Sequence, residues 1–273
     1  MAWSYLNFNA MKKISYYILV ICLLVLAGAC GEEFLDVKRE KRQVIPLKLS
    51  DQRALMDNLT VLNLNTSLLL NVVGGEEFTV SSDAWELLSS PMEKNAFIWA
   101  GDVFGGQSSA DWNGAYAKVL YANMALEGLA KLDPDAAELA EWRAIKGTAL
   151  FVRAYAFYQL SQTFCARYDR QSAAADPGIP LRLETDVTLG VKRASVEETY
   201  DRMLADLKEA AELLPERVER VFRPKKAAAF ALLAKVVLHM EDYAAAEGYA
   251  DQCLALGGEL LDYNGLYMAV PYP

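Results

Sequence analysis

Histidine is nearly missing from this chain: His239 is the one example in 273 residues, and it falls within an apolar helical stretch. A serine–histidine–acid system would have to use it. A zinc site would find neither a second imidazole nor a close pair of cysteines. His239 therefore reads as a core or groove residue. Cysteine is scarce as well, with Cys22, Cys30, Cys165 and Cys253 as the full set. Cys165 and Cys253 could pair in an oxidising compartment, but a chain of this size has core enough to do without a staple. Two free buried thiols are the expectation. Positive charge is in deficit: 27 Lys and Arg stand against 36 Asp and Glu, for a formal net charge of −9. That balance excludes nucleic acid, whose binding rests on cations neutralising phosphates. It also argues against electrostatic attachment to anionic lipid. The glycines between Gly101 and Gly106 are not followed by Gly-Lys-Ser/Thr, so they form no phosphate loop. Carboxylate pairs such as Glu76-Glu77 are inevitable among 36 acids and carry no glycosidase argument on their own. No catalytic residue, metal or cofactor is expected.

A long apolar run is lacking too. The most apolar stretch, Ile14 to Leu26, is short of the roughly 20 residues that span a bilayer. Lys12 and Lys13 precede it, and Ala27-Gly28-Ala29 follows with the small side chains a signal peptidase holds. Residues 1–29 thus read as a cleaved export signal, with residues 1–10 either an extended leader or upstream of the true start. Cys30 then becomes the first mature residue and carries a lipid on its thiol. Ordinary cleavage after Ala27-Gly28-Ala29 is the alternative, since Ala27 stands where a strong lipobox has Leu. Removing the signal takes away two lysines and no acid, lowering the formal charge from −9 to −11.

Residues 30–48 are charged and aperiodic, and read as a tether ahead of a helical domain over 49–273. Ser50 is expected to cap a helix from Asp51 to about Leu59 that buries Leu55, Met56 and Leu59. Between Leu62 and Phe78, asparagines and Gly74-Gly75 break an apolar stretch whose period does not decide between helix and strand. Thr79 to Trp85 reads as a loop entering a helical turn, and Ala96 to Trp112 as irregular chain with aromatics among glycines and serines. Helical spacing begins near Trp112 and takes in Tyr116, Val119, Asn123, Leu126 and Leu129. Asp133-Pro134 is a helix-start signal for an element ending near Phe164. A long loop from Tyr168 to Arg193 follows. Ser195 and Glu198 form a capping box ahead of the stripe Val196, Tyr200, Met203, Leu207, Ala211 and Leu214, which Pro215 ends. Lys225 to Met240 and Tyr243 to Leu256 form a final pair, closed by Gly257-Gly258. Ala234, Ala246 and Ala250 are small where two such helices would cross. Alternating small and large residues in helix pairs is the tetratricopeptide pattern, in which each pair needs neighbours to bury its faces.

Two tryptophans stand out. Trp85 and Trp99 lie in the irregular region with Asp83 and Asp102 nearby in sequence. Aromatic faces with carboxylates at the rim suit the C–H faces and hydroxyls of a sugar. Core filling is the alternative for both indoles. Trp112 and Trp142 sit on helical stripes and read as core.

Several segments, in order along the chain, resemble the N-terminal half of the SusD/RagB family of nutrient-uptake lipoproteins. They are Cys30 with Glu32-Glu33 and Phe34-Leu35-Asp36; Trp112-x-x-x-Tyr116 with Asn123; Lys146 to Tyr158; Pro177 to Leu181; Arg193 to Tyr200; Asp206 to Pro215; and Lys226 to Lys235 with Asp242-Tyr243. The resemblance implies an all-α scaffold of tetratricopeptide-like helix pairs with long loops. It implies a lipid-anchored outer-membrane protein at the cell surface, without enzyme activity. Such a protein would capture oligosaccharide or peptide and deliver it to a SusC-like TonB-dependent transporter. It also implies that the C-terminal part of the family fold is missing after Pro273. A helical-repeat envelope lipoprotein that scaffolds protein assembly is the alternative reading.

Overall fold

The computed structural model describes residues 48–64, 69–75, 77, 79–257 and 262–263. The expected signal, Cys30 and the tether up to residue 47 lie outside the described residues. Among the described residues the chain is helical apart from one two-stranded ribbon.

Five short elements come first. Helix α1 runs Leu49–Met56, followed by a π-helical turn, Thr60–Leu64. Then come α2 (Leu69–Val73), α3 (Ser82–Leu87) and α4 (Pro91–Phe97). Ser50 is not the cap of α1. It lies inside the helix, and Asp51 accepts the Lys48 backbone N–H at 3.1 Å instead. Met56 is buried as expected, but Leu59 is 40% exposed. Ser81 and Ser90 cap α3 and α4, each hydroxyl accepting the backbone N–H of the third residue of its helix.

The scaffold proper consists of five longer helices: α5 (Ala110–Leu129), α6 (Leu139–Phe164), α7 (Val196–Leu213), α8 (Lys226–His239) and α9 (Tyr243–Ala255). Each packs on the next in sequence. The stripe read on α7 is the buried one: Val196, Tyr200, Met203 and Leu207 are all at most 2% exposed. They meet Phe157 and Leu160 of α6 and Leu233 and Val236 of α8 in the main core. A second cluster joins Met56 of α1 to Ala122, Ala125 and Leu129 of α5 and Ile145 and Ala149 of α6. In the α8–α9 pair, Ala246 is buried, Ala234 and Ala250 are half-buried, and Phe230 stacks on Tyr249 at 6.4 Å. Cys165 and Cys253 are free and half-buried.

Two sequence expectations give way here. Asp133-Pro134 does not start α6. Asp135 takes the N–H groups of Ala137 and Glu138, and the helix begins at Leu139. The segment from Tyr168 to Arg193 is not loop throughout. Strand β1 (Pro177–Pro180) pairs antiparallel with β2 (Arg193–Ser195). The close approach is made at Gly178, where a Cβ would overlap the Ser195 carbonyl.

A buried polar network fixes the intervening loop. Arg153 of α6 gives both nitrogens of one edge to Asp206 of α7, each at 2.8 Å, and a third donor to Asn123 of α5 at 2.9 Å. Asn123 in turn donates to the carbonyls of Arg182 and Glu184. Glu127 accepts from the Thr185 N–H and hydroxyl, each at 2.7 Å. Asp206 is fully buried, so removing Arg153 would leave a charge with reduced compensation, a change that costs on the order of 3–5 kcal/mol.

Candidate functional site

Helix α4 begins with Pro91 at its first position and is capped at Ile98. The next residue, Trp99, has φ 52°, in the left-handed region. Its N–H bonds the Ala96 carbonyl at 3.2 Å, and the Ala100 N–H reaches back to Asn95 at 2.9 Å. This is a Schellman ending, in which the left-handed place usually belongs to glycine. Helix α9 ends in that ordinary way, with Gly257 at φ 92°. A side chain there costs on the order of 1–2 kcal/mol. Strain of that kind clusters where a protein works.

The strained backbone turns an indole outward. Trp99 is 70% exposed, although its Nε1–H donates to the Gly74 carbonyl at 3.0 Å, fixing the ring edge. Beneath it opens a cavity of about 370 Å³ whose apolar wall is Leu70, Val103, Phe104 and Phe164, with Asn71 and Thr163 as polar members. Phe104 stacks on Phe164 at 6.3 Å, and Trp112 meets the edge of Phe164 at 5.0 Å. An aromatic chain thus runs from Trp112 through Phe164 to Phe104 in the wall of the cavity that Trp99 also lines. A fixed indole over an apolar cleft with a few hydrogen-bonding groups can hold a ring that has C–H faces and hydroxyl edges.

The four residues singled out from sequence do not converge. Trp99 lines the cavity. Trp85 is half-buried, donates Nε1–H to the Lys94 carbonyl at 3.1 Å, and carries the Lys94 ammonium 5.4 Å from its ring, so it joins α3 to α4. Asp102 accepts the N–H groups of Phe104 and Gly105, at 3.0 and 2.9 Å, and shapes the turn that delivers Phe104. Asp83 is exposed in the first turn of α3, where a negative charge suits the helix start. Trp112 and Trp142 are half-buried, and Trp142 donates to the Leu129 carbonyl. Sequence reasoning missed Leu70, Thr163 and Phe164 as walls. They come from two separate segments, α2 and the last turn of α6, and only the spacing of Phe104 within a glycine-rich stretch hinted at the wall.

A larger cavity of about 800 Å³ opens between α6 and the loop before α8, beside the parallel rings of Phe151 and Tyr155. It carries no left-handed side chain at its rim. Among the described residues, no group of three His, Cys, Asp or Glu is placed to hold a metal ion. No described helix is long and apolar enough to cross a membrane.

Comparison with known proteins points one way. A family model named SusD-like, described as starch-binding and associating with the outer membrane, matches residues 33–238. A SusD-like protein P2 of Formosa agariphila is 30% identical over 151 residues, covering 55% of this chain and 27% of that protein. Among solved structures, a putative sugar binding protein from Bacteroides vulgatus superposes with a TM-score of 0.66 at 24% identity, over 76% of this chain and 46% of the other. A SusD superfamily protein from Bacteroides thetaiotaomicron gives 0.66 at 20% identity, over 80% and 49%. The chain thus spans about half the length of the solved relatives it matches.

Proposed function

We propose that this chain, which belongs to the SusD-like family, captures a glycan at the cell surface while a lipid on Cys30 holds it to the outer membrane. The bound glycan passes to a TonB-dependent transporter of the SusC kind. The observation that carries the capture step is Trp99: an exposed indole held in left-handed backbone over an apolar cavity. Trp85 and Asp102 act around it by positioning α4 and the turn after it, Asp83 sits at the start of α3, and the sugar meets Trp99. The protein's work is to hold and hand over, and no reaction is assigned to it. A peptide is the alternative ligand, with apolar side chains in place of pyranose faces.

The test is calorimetric titration of the full chain in detergent with α-1,4- and β-1,3-linked glucan heptasaccharides, followed in parallel by tryptophan fluorescence. One of the sugars is expected to bind and change the emission, and Trp99→Ala to weaken it by roughly tenfold or more. If neither sugar binds while the chain holds other envelope proteins in pull-downs, capture fails and the scaffold role takes its place.

A further inference from the structure

Left-handed backbone in a residue other than glycine occurs at two places among the described residues, Trp99 and Glu241. They share an unusual setting. Glu241 has φ 61° and follows α8 at the same position of the same motif. Its N–H bonds the Leu238 carbonyl, and the Asp242 N–H bonds Val237, each at 3.0 Å. Each residue stands at the rim of a cavity of about 370 Å³ or beside it. The two cavities flank the last turn of α6, with Gln162 lining one and Thr163 and Phe164 the other.

The Glu241 cavity is built from a particular mixture of groups. Tyr243, 66% exposed, opens α9 at its edge. Tyr168 packs tilted on the buried ring of Tyr200, centroids 4.9 Å apart. The Arg167 guanidinium and the Glu241 carboxylate face each other at 3.9 Å, both well exposed. Gln162 donates its amide N–H to the Tyr200 hydroxyl at 3.0 Å, which directs its carbonyl elsewhere. His239 meets the Tyr158 hydroxyl through Nε2 at 2.9 Å and lines the cleft. Tyrosine faces, a planar cation, a carboxylate, an amide and an imidazole around one small cleft match a sugar ring: apolar on its faces and a fan of hydroxyl donors and acceptors at its edge. An anion would meet Glu241, and an apolar ligand would strand the charged pair, so a neutral sugar fits best.

We infer that the cleft between the end of α6 and the α8–α9 turn is a second subsite, taking a neutral hexose unit, with Tyr243 stacking and Glu241 and Arg167 bonding its hydroxyls. This rests on the glycan-capture reading of the Trp99 cavity and extends it to a second cleft beside the end of the same helix. A glycine would suit the backbone at 241 better, and keeping glutamate there makes sense if its carboxylate is used.

The sole histidine makes a local reporter, since its ring signals need no assignment. The full chain in detergent is titrated with the α-1,4- and β-1,3-glucan heptasaccharides while the His239 ring resonances are followed by NMR. The expected result is a saturable shift of the His239 signals that survives Trp99→Ala and is lost in Tyr243→Ala, whose overall affinity falls roughly tenfold. Glu241→Gly is expected to raise Tm by about 2–4 °C, as relief of one left-handed side chain should, while weakening binding. That split between stability and affinity is one a purely structural role would not produce. If a sugar binds and depends on Trp99 but leaves His239 and the Tyr243→Ala affinity unmoved, the second subsite falls and the Trp99 reading stands. If Glu241→Gly gains stability with unchanged affinity, the glutamate has no part in binding and the inference is overturned. If neither sugar binds, both fall together.

Discussion

His239 shows how much one side chain can report. Burial first, and then the charge of Lys235, hold its imidazole below the ordinary value of 6.5. Burial likewise pushes the Tyr158 hydroxyl up to about 12, so it keeps its proton across the neutral range. A depressed histidine takes up its proton more readily in the unfolded chain. The stability it contributes is therefore full above pH 6.5 and declines as pH falls through 6.5 toward the lower folded value. NMR titration should place the midpoint below 6.5, with Lys235→Gln moving it upward; a midpoint at or above 6.5 in the parent chain would contradict this account. The same scale explains what the sequence could not disclose. Nothing in the identity of Trp99 or Glu241 announces left-handed backbone, because the position is set by where α4 and α8 stop. A helix end with no glycine after it is silent in a reading that looks for glycine.

At the scale of elements, the ends written by side chains near the boundary were legible. Ser195 and Glu198 form the capping box read from their spacing, with bonds of 3.0 and 2.8 Å. Helix α6 stops at Phe164 as expected. The ends that depend on competing acceptors were not legible: Asp51 accepts the Lys48 N–H and Asp135 those of Ala137 and Glu138, so the starts fall away from Ser50 and Asp133. The β1–β2 ribbon escaped because its strands are 13 residues apart in sequence and Pro177 and Pro180 weaken the strand signal. Its packing is nonetheless exacting. Gly178→Ala should lower unfolding free energy by about 1–3 kcal/mol, since the new methyl overlaps the Ser195 carbonyl and the Thr199 hydroxyl. Gly190→Ala, with open space around it, should change little. Urea unfolding of the pair separates the two, and equal losses would show that the ribbon does not constrain α7.

For the whole molecule, the tetratricopeptide-like order was readable because each long helix carries its own apolar stripe and meets its neighbour in sequence. The sites were less readable, because a cavity gathers residues from segments that sequence spacing does not link. The membrane attachment proposed for Cys30 is tested on the whole chain: palmitate labelling and sedimentation with membranes should both be lost in Cys30→Ala, and retention of both would refute the anchor. The array also carries one long-range tie. Arg223 from the loop before α8 grips Asp57 beyond α1, a bond of 2.8 Å between residues 166 positions apart. Under thermal agitation α1 and the pre-α8 loop therefore share one fate, since freeing either requires the other to let go as well.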